Sequence, residues 1–425
     1  MENTRLMRLN TVLMLLESTL FGMGLSFLQG DTVVSTFLDT ATGSIAIAGL
    51  AATVRSIMFM LGQLLAGMVI HKIKVQRKFM RTFGFVGRPL ILMMVPALLL
   101  GVTGPAAGYL FLLLYGLFFF MDGLIALSWM EINTRTLPPR RRGVVSSVAQ
   151  MSSGVVGIFV GIALQFILGN DLPFGQKYAV IFGLSGVTLL LNMFALALIK
   201  DVDHPSSPDK PVLRFNKYVG SLIPLFTQNK PVRMLLYARM LYTLTMISAP
   251  INVLFGRHMG GLDDTLVNAL IFMPVLGQIV AGLFWAQTSR RLTYPIMMWL
   301  SEVIGVISAV LNLLCFFMAA ARLPVMVPLS ITMALISMNA VGYIGFTQHM
   351  ITLVDEQTRP QYFVLSSLVT APFALGPYLA GIIVEHFGYL PVYIIMLAAG
   401  IAGMWLVKVS FFKGQGIFSA ALNRR

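Results

Sequence analysis

The chain has 425 residues, of which 57% are hydrophobic and 11% charged, and its mean hydropathy is +0.84. Soluble domains carry about 25% charged residues and need a polar surface, so this composition excludes a soluble enzyme, a secreted disulfide scaffold and a disordered protein. The formal net charge of +14 therefore has to be explained in a membrane protein.

Twelve apolar segments follow one another along the chain, each long enough to cross a hydrocarbon core of about 30 Å as a helix. They are continuously apolar rather than alternating, which favours helices over a β-barrel. The sequence thus predicts an all-α polytopic membrane protein with twelve transmembrane helices. We number them spans 1 to 12, predicted at 10–36, 44–70, 79–101, 107–133, 143–169, 177–199, 231–256, 265–287, 294–320, 324–350, 362–384 and 389–411.

Basic residues concentrate before span 1, after span 12 and in every second loop between them. The opposite loops hold only Lys177, Arg257 and Arg322. Loops rich in Lys and Arg stay in the cytoplasm, so this pattern predicts a multi-pass protein of the inner or plasma membrane with both termini cytoplasmic. A surface that binds nucleic acid would not explain the alternation, and we expect no nucleic-acid partner.

The longest polar segment separates spans 6 and 7. It opens with the breaker-rich stretch Asp201–Pro211. Val212–Phe226 then mixes apolar residues with Arg214 and Lys217, which is typical of a helix lying on a membrane surface. We therefore expect a six-helix bundle at 1–200, a cytoplasmic linker with an amphipathic helix at 201–230, and a second six-helix bundle at 231–425.

The two halves resemble each other in sequence. Val144–Gln150 at the start of span 5 matches Val364–Thr370 at the start of span 11, and Gly161 matches Gly381 in the same register. Parallel half-repeats are a known design of secondary transporters, which bind substrate between the halves near the membrane midplane. The repeat predicts two pseudo-symmetric bundles.

The loops after spans 2 and 8 follow the pattern G-x-x-x-D-[RK]-x-G-[RK]-[RK] in part. After span 8, Gly282 precedes Arg290 and Arg291 at that spacing, with Ala286 in place of the acid and Ser289 in place of the second glycine. After span 2, Gly67 leads into a basic turn in which a histidine replaces the acid and the final basic pair is displaced by two residues. With its twelve spans, the chain resembles the major facilitator superfamily over nearly its whole length.

This resemblance implies alternating access between two bundles. In the family, the loop motif belongs to a cytoplasmic charge network that latches one conformation. The resemblance therefore implies a gating role for two basic turns and for charges at the end of span 4. These residues are His71, Lys72, Arg77, Lys78, Glu131, Arg135, Arg290 and Arg291.

Ionisable residues inside spans are costly in lipid, so each is a functional candidate. Glu17 and Arg88 lie at similar depth in spans 1 and 3, as do Arg239 and Glu302 in spans 7 and 9. Each pair either joins two helices of one half as an ion pair or places one member in a cavity, where it binds substrate or a proton. Spans 1 and 7 line the cavity in the family, which favours Glu17 and Arg239 as cavity residues.

Asp122, near the middle of span 4, is the first candidate for the coupling proton, followed by Glu17 and Glu302. A carboxylate that alternates between an arginine partner and an apolar surrounding takes up and releases a proton. The alternative is a permanent salt bridge from Asp122 to Arg55 or Arg88. The candidates for substrate binding are Arg55, Arg88, Arg239, Asn252 and Asn339.

The sequence contains no Walker loop, no G-x-S-x-G, no H-E-x-x-H and no His/Cys cluster, so we expect neither an enzyme nor a cofactor or metal site. We predict a monomeric secondary active transporter, coupled to protons, for a small organic solute. Three arginines within spans favour an anionic or carboxylate-bearing substrate. Efflux of amphipathic or drug-like compounds is the alternative, favoured by 28 Met and 30 Phe, and a non-transporting sensor and a membrane enzyme rank lower.

The charge pattern makes a testable prediction about topology. A reporter fused after Arg214 should report a cytoplasmic position, whereas a reporter inserted at Asp39 or Asp263 should report an external one, because only the first lies in a basic segment. Paired alkaline phosphatase and fluorescent protein fusions measure both. An external signal at Arg214 would contradict the assignment.

Overall fold

The computed structural model describes residues 2–69, 73, 75–136, 139–200, 215–270, 272–355 and 358–412. Within these ranges the regular structure is entirely helical. Eleven of the described stretches are long and apolar enough to cross a membrane. A shorter apolar stretch, Ser152–Leu168, lies in the helix Pro139–Leu168 at the place of span 5. The predicted all-α membrane fold is confirmed.

The helices keep the predicted order, and five of the spans consist of two helices each. Spans 1 to 6 are formed by Glu2–Phe27 with Ser35–Thr42, Ile45–Val69, Gln76–Gly87 with Met94–Leu99, Gly104–Thr136, Pro139–Leu168 and Phe174–Leu198. Spans 7 to 12 are formed by Lys230–Leu244 with Ala249–His258, Phe272–Arg291, Tyr294–Ala320, Met326–Ala340 with Tyr343–Leu353, Arg359–Thr370 with Gly376–Phe387, and Leu390–Phe411. A short helix, Asp264–Ala269, lies at the beginning of span 8 and precedes its main helix, Phe272–Arg291.

Two of the interruptions are turns of 3₁₀-helix that contain a proline. Arg88–Met93 interrupts span 3 and contains Pro89, and Ala371–Leu375 interrupts span 11 and contains Pro372. Proline has no N–H to donate and clashes with the preceding turn, so the helix changes its winding there. The break in span 3 therefore begins at the charged residue Arg88.

The chain forms two compact units. Unit 1 consists of Met1–Gln29 and Val54–Gly220, and unit 2 consists of Gly30–Thr53 and Ser221–Arg425. The end of span 1 and the beginning of span 2 thus belong with the second half of the chain. The expected division into bundles at 1–200 and 231–425 did not anticipate this grouping and stays a prediction.

The internal repeat is also a repeat of helix packing. In unit 1, span 1 packs on spans 5 and 6, and span 3 packs on spans 4 and 6. In unit 2, span 7 packs on spans 11 and 12, and span 9 packs on spans 10 and 12. Each pair in unit 2 corresponds to a pair in unit 1 with six added to both span numbers.

Glycines allow corresponding helices in both units to cross at close range. A methyl group on Gly62 of span 2 would overlap the carbonyl oxygen of Phe120 in span 4, and one on Gly123 would overlap that of Phe59. In unit 2, Gly277 of span 8 lies in the same way against the backbone of Ala334 in span 10. Small residues bring helix backbones together in membranes, where dispersion contacts replace the hydrophobic effect.

The helix predicted at 212–226 is present as Phe215–Gln228. Tyr218 and Leu222 are buried, whereas Lys217 is exposed, so the described part has one apolar and one polar face. Its location on a membrane surface stays a prediction.

Candidate functional site

A buried salt bridge joins spans 3 and 4 inside unit 1. The Arg88 guanidinium donates a hydrogen bond to Asp122 Oδ1 at 2.9 Å, and Arg88 is 3% exposed. The rings of Phe21 and Phe118 lie 4.6 and 5.2 Å from the guanidinium carbon. Their π faces attract the cation and exclude water from it. Of the two partners considered for Asp122, the structure places Arg88 against it.

A second acid, Glu17 of span 1, lies close to this salt bridge. Its buried carboxylate accepts hydrogen bonds from Ser18 at 3.0 Å, from Asn192 at 3.2 Å and from the Trp129 indole at 3.3 Å. It is also within electrostatic range of Arg88. Arg88 therefore interacts with two acids. It forms a direct salt bridge with Asp122 and attracts Glu17 at longer range.

The ion pair considered between Arg239 and Glu302 is absent from unit 2. Arg239 donates a hydrogen bond to Ser366 Oγ at 2.7 Å and forms no salt bridge within the described part of the chain. Its side chain is half-buried. The guanidinium therefore keeps donors that are available for another acceptor.

Glu302 of span 9 is fully buried, and neither carboxyl oxygen has a hydrogen-bond partner among the described residues. Its carboxyl group lies against Gly403 of span 12, where any side chain would collide with it. A carboxyl group buried without a partner is costly in lipid or protein, so Glu302 is an exception among the buried charges of the described residues.

Two asparagines of unit 2 have buried amide groups with unmet hydrogen bonds. Asn252 and Asn339 are 0% and 1% exposed, and neither side-chain amide has a partner in the described ranges. Such groups destabilise a fold unless water or a ligand bonds to them. Asn252 lines a narrow cleft, too tight to hold a water molecule, together with Ala249, Pro274, Met333, Ile336 and Ser337. No group of three His, Cys, Asp or Glu suited to a metal ion occurs among the described residues.

Arg55 of span 2 is exposed, and its guanidinium carbon lies 5.0 Å from the centre of the Phe119 ring in span 4. It takes no part in the Arg88–Asp122 salt bridge. Its orientation over an aromatic face leaves the guanidinium edge open to a ligand.

The proposed gating residues are only partly described. His71 and Lys72 lie outside the described residues, as do the side chains of Glu131, Arg135 and Arg290. Arg77 is half-buried, and Lys78 and Arg291 are exposed. Their gating role stays a prediction.

Several partners of these charges were not expected from the sequence. Phe21 and Phe118 resemble ordinary apolar span residues, and Asn192 is a single amide in a long apolar helix. Ser366 could have been found from the sequence, because it lies in the repeated segment Val364–Thr370. A comparison of the repeats would have marked it as a position of interest.

Comparisons with known proteins agree with one another on the fold. The sequence model of the Major Facilitator Superfamily matches residues 9–362. No curated protein sequence matches the chain.

Solved structures match over nearly the whole length. A D-xylose-proton symporter has a TM-score of 0.69 and 11% identity, covering 93% of this chain and 96% of that one. The nucleoside transporter NupG has a TM-score of 0.65 and 16% identity, covering 96% and 100%. The xylose transporter XylE from E. coli has a TM-score of 0.66 and 12% identity, covering 95% and 99%. At these identities the likeness shows a shared fold.

The Arg88–Asp122 salt bridge predicts a pattern of stability. Asp122→Asn should lower the melting temperature strongly, because a buried cation without its carboxylate costs about 3–5 kcal/mol. Arg88→Met in the same chain should recover most of the loss. Thermal unfolding of the purified protein in detergent measures both. Asp171→Asn, which changes an exposed acid, is the control and should have no effect. An unaltered melting temperature in Asp122→Asn would contradict this account.

Proposed function

Since the chain belongs to the Major Facilitator Superfamily, we propose that it is a secondary active transporter that moves a small organic solute across the cytoplasmic membrane. Transport by alternating access agrees with the repeated helix packing of the two units. The solved structures of the same fold described above are transporters. This supports transport over the sensor and enzyme alternatives.

Coupling to protons is supported most directly by the arrangement of Glu17, Arg88 and Asp122. Arg88 can neutralise one carboxylate fully, and in this structure that carboxylate is Asp122. Glu17 is bonded to neutral donors instead. A proton on Glu17 leaves Arg88 with Asp122, whereas loss of that proton creates a second anion that competes for Arg88. Protonation at span 1 is thereby linked to the contact between spans 3 and 4.

We propose a different task for each of the three candidate acids. Asp122 orients Arg88, Glu17 exchanges the coupling proton, and Glu302 stays neutral in its packed site beside Gly403. The D-xylose-proton symporter that shares the fold supports proton coupling as the energy source.

An anionic or carboxylate-bearing substrate is supported by Arg239. This arginine of span 7 has a neutral partner, Ser366, and no salt bridge in the described part of the chain. A half-buried cation within a span is costly without a carboxylate, and a carboxylate from the substrate would remove that cost. Arginine binds carboxylates through two parallel hydrogen bonds, so one donor can remain on Ser366. The buried amide of Asn252, which has no partner among the described residues, is our candidate for binding a neutral polar group of the same solute.

The coupling proposal predicts the behaviour of Glu17→Gln. Glutamine keeps the size and hydrogen-bonding capacity of Glu17 but cannot release a proton. Accumulation driven by a proton gradient in proteoliposomes should fall to background, while exchange of substrate without a gradient continues. Trp129→Phe is the matched control, because it removes one bond to Glu17 and keeps the acid. Accumulation that persists in Glu17→Gln would move the coupling role to Asp122 or Glu302.

The substrate proposal predicts selective loss in Arg239→Gln. In proteoliposomes screened with labelled monocarboxylates, their neutral amides and amphipathic cations, the variant should raise KM for the carboxylates at least about tenfold, as loss of a charge-assisted bond does. Arg239→Lys should retain part of the affinity. The exposed Arg322→Gln serves as a control and should leave KM unchanged. Transport of amphipathic cations that does not depend on Arg239 would favour the efflux alternative.

A further inference from the structure

Residues 30–53, which we call the strap, join the end of span 1 to the beginning of span 2 and belong to unit 2. The strap lies on the side opposite the basic loops, which the charge pattern predicts to be external. It contacts span 11 without intervening side chains. A methyl group on Gly49 would overlap the carbonyl oxygen of Pro377, and one on Gly381 would overlap the backbone of Ala46.

A carboxylate from span 11 caps the first turn of span 2. Glu385 Oε1 accepts a hydrogen bond from the Ala46 backbone N–H at 2.9 Å and another from the Ser44 hydroxyl at 2.7 Å. The first turn of a helix has N–H groups without helical partners and carries a partial positive charge, so an anion there is stabilising. Helices are usually capped by their own neighbouring residues. Here the cap is 339 residues away along the chain.

Three further polar contacts hold the strap, and one of them is a hydrogen bond from the Arg257 guanidinium of span 7 to the Thr40 hydroxyl at 3.4 Å. Oδ2 of the buried Asp39 lies 3.2 Å from Nε2 of His258, the last residue of the helix Ala249–His258 in span 7. The Thr53 hydroxyl donates to the carbonyl oxygen of Ala374 in span 11 at 2.6 Å. The strap is therefore attached at its beginning to span 7 and along its second half to span 11.

The bonds to Glu385 are suited to breaking and forming again. Glu385 is exposed, so water can replace both bonds when the strap moves away. Gly49 and Gly381 offer a close fit with little apolar surface to expose. The contact therefore adds a modest free energy that favours the closed strap, rather than a permanent attachment.

We propose that Glu385 is a latch that holds the strap closed against span 11, and that this latch sets the population of molecules open on the predicted external side. The inference rests on the proposed function, because alternating access requires this side to open. Glu385 acts by positioning the strap and does not touch substrate.

The test measures the position of the strap directly. Spin labels on Thr40→Cys and Phe387→Cys, two exposed positions, report the distance between strap and span 11 in a Cys315→Ser background. The label at Thr40 removes the bond to Arg257 in every variant alike, so differences between variants report the effect of Glu385. Double electron–electron resonance in nanodiscs gives the distance distribution. Glu385→Ala should increase the long-distance fraction about fivefold, the effect of losing a helix cap of ordinary strength. Glu385→Gln keeps an acceptor without the charge and should give a smaller increase.

Asp171→Ala, at another exposed acid, is the matched control and should leave the distribution unchanged. Identical distributions in the parent and both Glu385 variants would overturn the proposal. If Glu385→Ala does not fold, Glu385→Gln alone decides, because a larger long-distance fraction supports the latch and an unchanged one overturns it. The readout needs no substrate. An opened strap in a protein that transports nothing would contradict the proposed function and support the latch.

Discussion

In the hydrocarbon core of a bilayer neither water nor lipid can bond to a polar group, so every charge within a span must be bonded by the protein itself. Arg88 meets this requirement through Asp122 and two aromatic rings. The same salt bridge fixes spans 3 and 4 against each other and places a buried cation within range of Glu17. The stability of the fold and the proposed proton coupling thus both depend on the salt bridge between Arg88 and Asp122.

The two units repeat their helix packing but not their charges. Close crossings at Gly62 and Gly123 in unit 1 correspond to the crossing at Gly277 in unit 2, since backbone contact needs only small residues. The arginines differ, because Arg88 has a carboxylate partner and Arg239 has a serine. In the proposed function, one unit handles the proton and the other binds an anionic group. A shared scaffold can therefore carry two different chemical tasks.

The fold could be predicted from the sequence to within a few residues at most helix ends. Long apolar runs can satisfy their backbone in lipid only as helices, so hydropathy alone places spans such as Tyr294–Ala320. The helix Phe215–Gln228 was also predictable, because Val212–Phe226 mixes apolar residues with Arg214 and Lys217. The breaks within spans were harder to predict from the sequence. Pro89 indicates an interruption, but it does not tell which way Arg88 then points.

The sequence by itself determined the depth of each residue along the membrane normal, because a helix rises by a constant amount per residue. It therefore placed Glu17 and Arg88 at one depth, as well as Arg239 and Glu302. What only the tertiary structure decided is the rotation of each helix and the choice of neighbour. Arg88 bonds to Asp122, Glu302 lies against Gly403, and the strap at 30–53 packs with the second half of the chain. Rotation and neighbour depend on how side chains of distant segments fit together, and a linear pattern contains no measure of that fit.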